Sequence, residues 1–324
     1  MTYMPTPFAT RQITPGAVTP YASVPYLSVS EYRFAPTSVG TNTLVGKSTS
    51  PQTDSNASLA TIIARASGWI DDKCFHRDGT FVAQPITEQM WVTVKPTGQL
   101  VLLTNLKPIR EVVGVALGPA ASQLMDIGPG AAADITTGDS TITLPGYWCG
   151  KRPMFGGYPA NNGKVYCVYS YIAGYAHMTL AEPAIAGATS ITVNPPFPGA
   201  TFPYQCFAGS PLTIRDGANT EDIVLSATPT SLTLSLASGL QYAHTPPVVP
   251  DSITVSNLPW TIEQACVYLT NVITKTRGFR AFVLPPGTGA PSPTARKTMG
   301  RAGVLDDFEE ACRLLHPFRV VTRH

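Results

Sequence analysis

Residues 40–48, GTNTLVGKS, place Gly40 ahead of Gly46, Lys47 and Ser48 in the manner of a phosphate-binding loop. In such loops backbone amides cradle the phosphate and the lysine reaches its oxygens. Here five residues, not four, separate Gly40 from Gly46, and no apolar strand leads into the stretch, so nucleotide binding is not expected. Metal chemistry needs clustered Cys and His. The six cysteines are scattered with no CxxC, and a site built from Cys149, Cys167, His177 and Cys206 has no supporting spacing. Cys74, Cys266 and Cys312 fall on apolar helical stripes and read as small buried thiols. Hydrolytic chemistry fares no better. There is no GxSxG or HExxH, His76, His177 and His244 sit in no nucleophile or metal pattern, and acidic residues such as Glu88, Glu111, Asp216 and Glu221 form no recognisable pair. No catalytic residue, metal or cofactor is expected. The one concentration of charge suited to binding is Arg296, Lys297 and Arg301, inside the loop 285–301 (PPGTGAPSPTARKTMGR). It suits DNA phosphates or an acidic partner surface.

The wider composition fits a chain buried in a larger assembly and equally a soluble β-rich domain with long loops. Only 13% of the 324 residues are charged, about half the usual share, and 31 are proline. The formal charge of +2 excludes strong capture of nucleic acid by the chain as a whole. No apolar run reaches the roughly 18 residues of a membrane span, and MTYMPTPFATRQ has no basic region followed by an apolar one, so neither span nor signal peptide is expected. The triplet Asn56-Ala57-Ser58 then has no glycosylation to accept.

The elements that must carry these residues are helical at both ends and β between. Leu59, Ile62, Ile63, Ala66, Trp69, Ile70 and Cys74 recur at steps of three and four, which predicts a helix from Ser58 to Phe75, capped from Asp54, Ser55 or Asn56. Before it, residues 1–27 interleave proline with aromatic residues and read as an extended arm. Ser28 with Glu31 forms a capping box that opens a short helix ended by Pro36. After Phe75 the period drops to two. Trp91–Val94, Leu100–Leu103, Glu111–Leu117, Ser140–Leu144 and Lys164–Tyr171 read as strands, the last apolar on both faces and so covered on both sides. A second group follows at Ala188–Val193, Pro211–Ile214, Glu221–Leu225 and Ser231–Leu236. Helical signals return with Leu258-Pro259-Trp260, running through Leu269 and Ile273 to Gly278, and again from Val304 to His316, whose stripe is Leu305, Phe308, Cys312 and Leu315.

These signals predict an α+β chain in which a small helical bundle, formed by N-terminal and C-terminal helices, is interrupted by a large, mostly antiparallel β insertion. Its divisions are an arm (1–27), a first bundle part (28–79), a β domain (80–178), a second small β module (179–255) and a second bundle part (256–324) with the basic loop. The expected assembly core is Leu59, Ile62, Ile63, Trp69, Ile70, Trp260, Leu269, Ile273, Phe308 and Leu315, with Trp69 and Ile63 packing on the C-terminal helices.

In their order, PYLSVSEYRFAP, SLATIIARASGWIDDKC, the strand-rich stretch, LPWTIEQACVYLTNVITKTRG and DDFEEACRLLHPFRVV resemble the head-to-tail adaptor (connector) proteins of long-tailed double-stranded DNA bacteriophages. The stretch from AGATSITV to LTLSLASGLQYAH resembles a β insertion found in versions from phages of actinobacteria. The resemblance covers residues 25–322 and leaves out the arm. It implies a structural protein of the virion neck, assembled in the host cytoplasm. Such a protein forms a ring of its own copies, generally a dodecamer, under the portal. The ring extends the DNA channel without sequence specificity and offers a surface to a stopper or tail-terminator component. The competing readings are another virion component, such as a capsid decoration or tail protein, and a carbohydrate-active phage enzyme.

Overall fold

Alternation between buried and polar side chains over strands and apolar stripes over helices together make this an α+β protein with antiparallel sheets. The computed structural model describes residues 24–41, 51–75, 80–93, 99–104, 106–126, 136–137, 141–144, 164–196, 200–247, 251–276 and 302–318. The phosphate-loop look-alike beyond Thr41, Cys149, the loop 285–301 and the arm as far as residue 23 lie outside them. Contacts divide the described chain into two units, residues 83–174 and residues 24–82 with 175–318.

The first unit holds strands β1 (Gln84–Thr93), β2 (Leu100–Leu103), β3 (Ile109–Gly118), β4 (Met125–Asp126), β5 (Thr136–Thr137), β6 (Thr141–Leu144) and β7 (Lys164–Ala173). They form an antiparallel sheet in the order β1-β7-β3-β4 and a smaller one in the order β2-β6-β5. β1 begins seven residues before the expected Trp91. Its Pro85 and polar alternation hide it, and both are tolerated because β1 is an edge strand. The β1–β7 register is unbroken from Gln84↔Ala173 to Thr93↔Lys164. It turns Val165, Cys167, Tyr169 and Tyr171 inward, in a unit whose buried residues include Leu100, Leu102, Ile142 and Leu144. The other face of β7 is not covered as expected: Tyr166, Val168 and Ser170 are half-buried, and Trp91 opposite Tyr166 is 46% exposed. Neighbouring strands set Gln89, Gly114 and Gly118 on that face, which supply no apolar lid.

The second unit contains β8 (His177–Thr179), β9 (Ser190–Thr192), β10 (Pro211–Arg215), β11 (Glu221–Val224), β12 (Thr233–Ser235) and β13 (Thr254–Ser256). It also contains helices α1 (Val29–Phe34), α2 (Pro51–Phe75), α3 (Trp260–Thr276) and α4 (Ala302–Leu315). The sheet order is β11-β10-β13-β8, with β9 and β12 as a separate ribbon, around Met178, Ile191, Leu212, Ile214, Ile223, Leu234 and Val255. Residues 175–255 therefore belong with the helices and do not protrude from them. The boundary lies at 174/175, not 178/179, because His177 and Met178 already pair with Ser256 and Val255.

α2 starts at Pro51, seven residues before the expected Ser58, since proline's fixed φ suits a first helical turn. α2 packs on α3, and α3 on α4. Trp69 meets Phe308 edge-on at 5.6 Å, the pairing the two stripes predict. Leu59, Ile63, Ile70, Leu269 and Leu315 are fully buried, each contributing roughly 1.5–3 kcal/mol of transfer free energy.

Candidate functional site

The segment 24–39 is the piece of chain that most other elements of the second unit grip. Val24, Tyr26 and Leu27 are buried, so the expected arm boundary at residue 27 falls inside the core. Tyr26 N–H donates to Ser67 Oγ on α2 (3.0 Å), and its hydroxyl donates to Asp71 and accepts from Phe81 N–H (2.9 Å). The Pro25 carbonyl lies 2.8 Å from His177 Nε2. A carbonyl only accepts, so Nε2 carries the proton, and Nδ1 accepts from Ser256 Oγ at 2.9 Å, which itself accepts Leu258 N–H. His177 is thus neutral, consistent with burial pulling its pKa down to about 4.

α1 is capped as its sequence predicts. Ser28 Oγ accepts Glu31 N–H (3.1 Å) and Glu31 Oε2 accepts Ser28 N–H (2.5 Å). Asp251 Oδ1 adds a second acceptor, for Val29 N–H (2.9 Å) and Ser30 N–H (3.2 Å). Beyond the cap, Tyr32 Oη donates to Asn271 Oδ1 (2.7 Å). Asn271 Nδ2 donates to Thr37 O (2.8 Å), and Gln264 Nε2 to Thr37 Oγ1 (2.7 Å). These bonds lay residues 32–37 along α3. Arg33 Nη2 donates to Asn56 Oδ1 on α2 (2.5 Å).

Beneath α1 lies a cluster of charge. Glu31 Oε1 accepts Thr254 Oγ1 of β13 at 2.7 Å and sits 3.9 Å from Arg215 Nε of β10. Arg215 Nη2 reaches Glu263 Oε2 of α3 at 2.7 Å. Glu263 is 6% exposed, and its Oε1 is buried without a hydrogen-bond partner among the described residues. Burial pushes the Glu263 carboxyl up to about 8, with Arg215 opposing and Glu31 adding to the shift. Burial also raises Glu31, against the bonds from Ser28 and Thr254 and the charge of Arg215. Asp71, under Tyr26, is raised to about 7, again chiefly by burial.

Two large rings of the second unit face water. Phe34 is 63% exposed although its ring lies over Gly217, where an added Cβ would come within 2.6 Å of it. Trp260 is 65% exposed, which removes it from the expected core. It stands two residues, about 200° of helical turn, from Ile262, while the buried stripe of α3 runs through Ile262, Ala265, Cys266, Leu269 and Val272. Trp260 therefore points off that stripe.

Family models, curated proteins and solved structures offer no match to this chain. The site must be read from its own geometry.

Of the other expected core residues, Leu59, Ile62, Ile63, Ile70, Leu269, Phe308 and Leu315 are buried, and Trp69 and Ile273 are half-buried. Arg296, Lys297 and Arg301 lie outside the described residues. No group of His, Cys, Asp or Glu that could hold a metal occurs among the described residues, and Cys167 and Cys206 are buried. No described helix is long and apolar enough to cross a membrane. Sequence reasoning missed Arg215, Glu263 and Asp251 as partners of the capping box. For Arg215 and Glu263 the one signal is a charged residue on a strand or stripe otherwise destined for burial, and Asp251, in the stretch before β13, carries none.

A second buried cluster surrounds His244, whose Nδ1 lies 3.0 Å from Asp216 Oδ2 and Nε2 2.7 Å from Glu221 Oε1. Glu221 also accepts Gln241 N–H (2.8 Å) and Tyr242 N–H (3.1 Å). His244 is fully buried, and the cluster clamps residues 241–244 to the β10–β11 hairpin.

Proposed function

We propose that the chain is a structural virion protein, an adaptor whose copies form a ring, dodecameric in number, between the portal and the tail. The observation that carries this reading is the joining of α2 to α3 and α4 across the whole β-rich stretch, in one unit that leaves Phe34 and Trp260 in water. Segments from both ends of the chain build the packed helices, as the motif order of such adaptors implies. Large exposed rings on a charge-poor surface suit burial by neighbouring subunits. In this reading the second unit supplies subunit and portal contacts, and a stopper or tail-terminator component docks on the assembled ring. Genomic double-stranded DNA passes through the ring by backbone contacts alone, and Arg296, Lys297 and Arg301 are the candidates for DNA or portal contact.

The test is to mix the purified chain with portal protein from the same virus and examine it by native mass spectrometry and particle imaging. A ring bound to the portal is expected. A strictly monomeric chain that ignores the portal would overturn the reading. Replacing Arg296, Lys297 and Arg301 by alanine is expected to impair DNA retention or portal docking while leaving the fold intact, and an unchanged infectious titre would assign that loop no such role.

A further inference from the structure

The Glu31–Arg215–Glu263 cluster brings two buried carboxyls to one guanidinium, from three elements distant in sequence. If both carboxyls were ionised, the cluster would carry one uncompensated negative charge away from water, which is strongly unfavourable. The surrounding groups do not supply the missing cation. α1 offers Ser28 and the carboxylate of Asp251 at its N-terminus; β13 offers Thr254 and Ser256. β8 offers His177, kept neutral by its burial against the opposing pull of the Pro25 carbonyl, and α3 offers Cys266, bonded to Ser67 of α2 at 3.7 Å. Glu31 has its two oxygens committed to Ser28 N–H and Thr254 Oγ1, whereas Glu263 Oε1 has no partner and is the oxygen free to hold a proton. The burial-driven rise of both carboxyls agrees with this arrangement.

We propose that Glu31, Arg215 and Glu263 form a proton-dependent latch. With one proton held on Glu263, α1 stays seated on β10, β13 and α3; loss of that proton releases α1. Because α1 carries Phe34, the latch sets whether that ring stays over Gly217. This inference does not depend on what the chain assembles with.

Hydrogen exchange on the full chain tests it. The reporters are the amides of Tyr32, bonded to Ser28 O at 3.1 Å, and Ala35, bonded to Glu31 O at 3.0 Å. After correction for the intrinsic pH dependence of exchange, a one-proton latch loses about tenfold in protection per pH unit between its open and closed ionisation ranges. Protection of these amides is expected to fall at least about tenfold from pH 6 to pH 8 in the natural chain. Glu263→Gln is expected to abolish that slope. So is Glu31→Gln, which keeps the helix cap and lets Glu263 ionise against Arg215 alone. Asp71→Asn is expected to leave it. A flat profile in the natural chain, an undiminished slope in both glutamine variants, or loss of the slope only in Asp71→Asn would overturn the proposal.

Discussion

The two units hold their carboxylates in different ways: Glu88 is half-buried in the first, and Glu263 is buried in the second. In the first, Glu88 of β1 is met by neutral donors: Tyr169 Oη at 2.8 Å and Tyr171 Oη at 2.5 Å, from β7 directly across the sheet. The single Tyr169 hydroxyl proton is shared with Leu103 O, 2.6 Å away, and the two phenol rings stack at 6.0 Å. Burial first, then the charge of Glu88, raises both phenols well above their ordinary range, so they remain donors through all physiological pH. In the second unit Glu31 and Glu263 compete for one guanidinium, and the elements that meet there are far apart in sequence. Phenols that keep their protons go on donating across the physiological range. Two carboxylates around one cation tie a tertiary junction to its proton.

The largest effect that separates the two follows from removing the cation. Arg215→Met is expected to cost the second unit about 3–5 kcal/mol, since it leaves buried carboxyls unpaired. Exchange in peptides of residues 84–118 is expected to stay unchanged.

The pH response has a definite sign. Glu263 is raised from 4.5 to about 8 and Asp71 from 3.8 to about 7. Each therefore contributes stability that is complete below its unfolded pKa and is lost as pH rises through its folded one. His177 is lowered from 6.5 to about 4, so its contribution is present above 6.5 and is lost as pH falls toward 4. Protection should thus decline on the alkaline side at α1 through Glu263 and around Tyr26 through Asp71, and on the acid side around His177, while the Glu88 sheet shows neither limit from its tyrosines. Equal pH dependence in the two units would erase the contrast.

Trp69→Ala is expected to destabilise the second unit by about 3 kcal/mol, the low end for such a change because Trp69 is half-buried against Phe308. Denaturant midpoints followed by exchange would measure it. Tyr171→Phe is expected to cost the first unit roughly 1.5–3 kcal/mol by removing a hydrogen bond to a charged group. Trp260→Ala is smallest, within about 0.5 kcal/mol of the natural chain, because the ring packs against little of its own subunit.

What the sequence made legible is what periodicity encodes. The α2 stripe, the capping box of α1 and the Trp69–Phe308 meeting follow from spacing alone, as does the α+β class. Three-residue strands such as β8 and β13 are too short to show a period, so the union of residues 175–255 with the helices was not visible. Trp260 misled because it opens a helix beside apolar neighbours, and only its angle to Ile262 shows that it faces out. The latch was hidden for another reason. Glu31 reads as a cap, Arg215 falls one residue past the expected strand Pro211–Ile214, and Glu263 lies in the first turn of α3, so no local pattern points to the tertiary cluster.

The most direct measurement is native mass spectrometry of the chain with its virus's portal protein, run for the natural sequence, a Phe34→Ala/Trp260→Ala double variant and Trp91→Ala. If the second unit is the assembling one, the natural chain and Trp91→Ala form the portal-bound ring, and the double variant stays monomeric with its fold retained. A natural chain that remains monomeric beside the portal, or a double variant that still assembles while Trp91→Ala does not, would contradict the account.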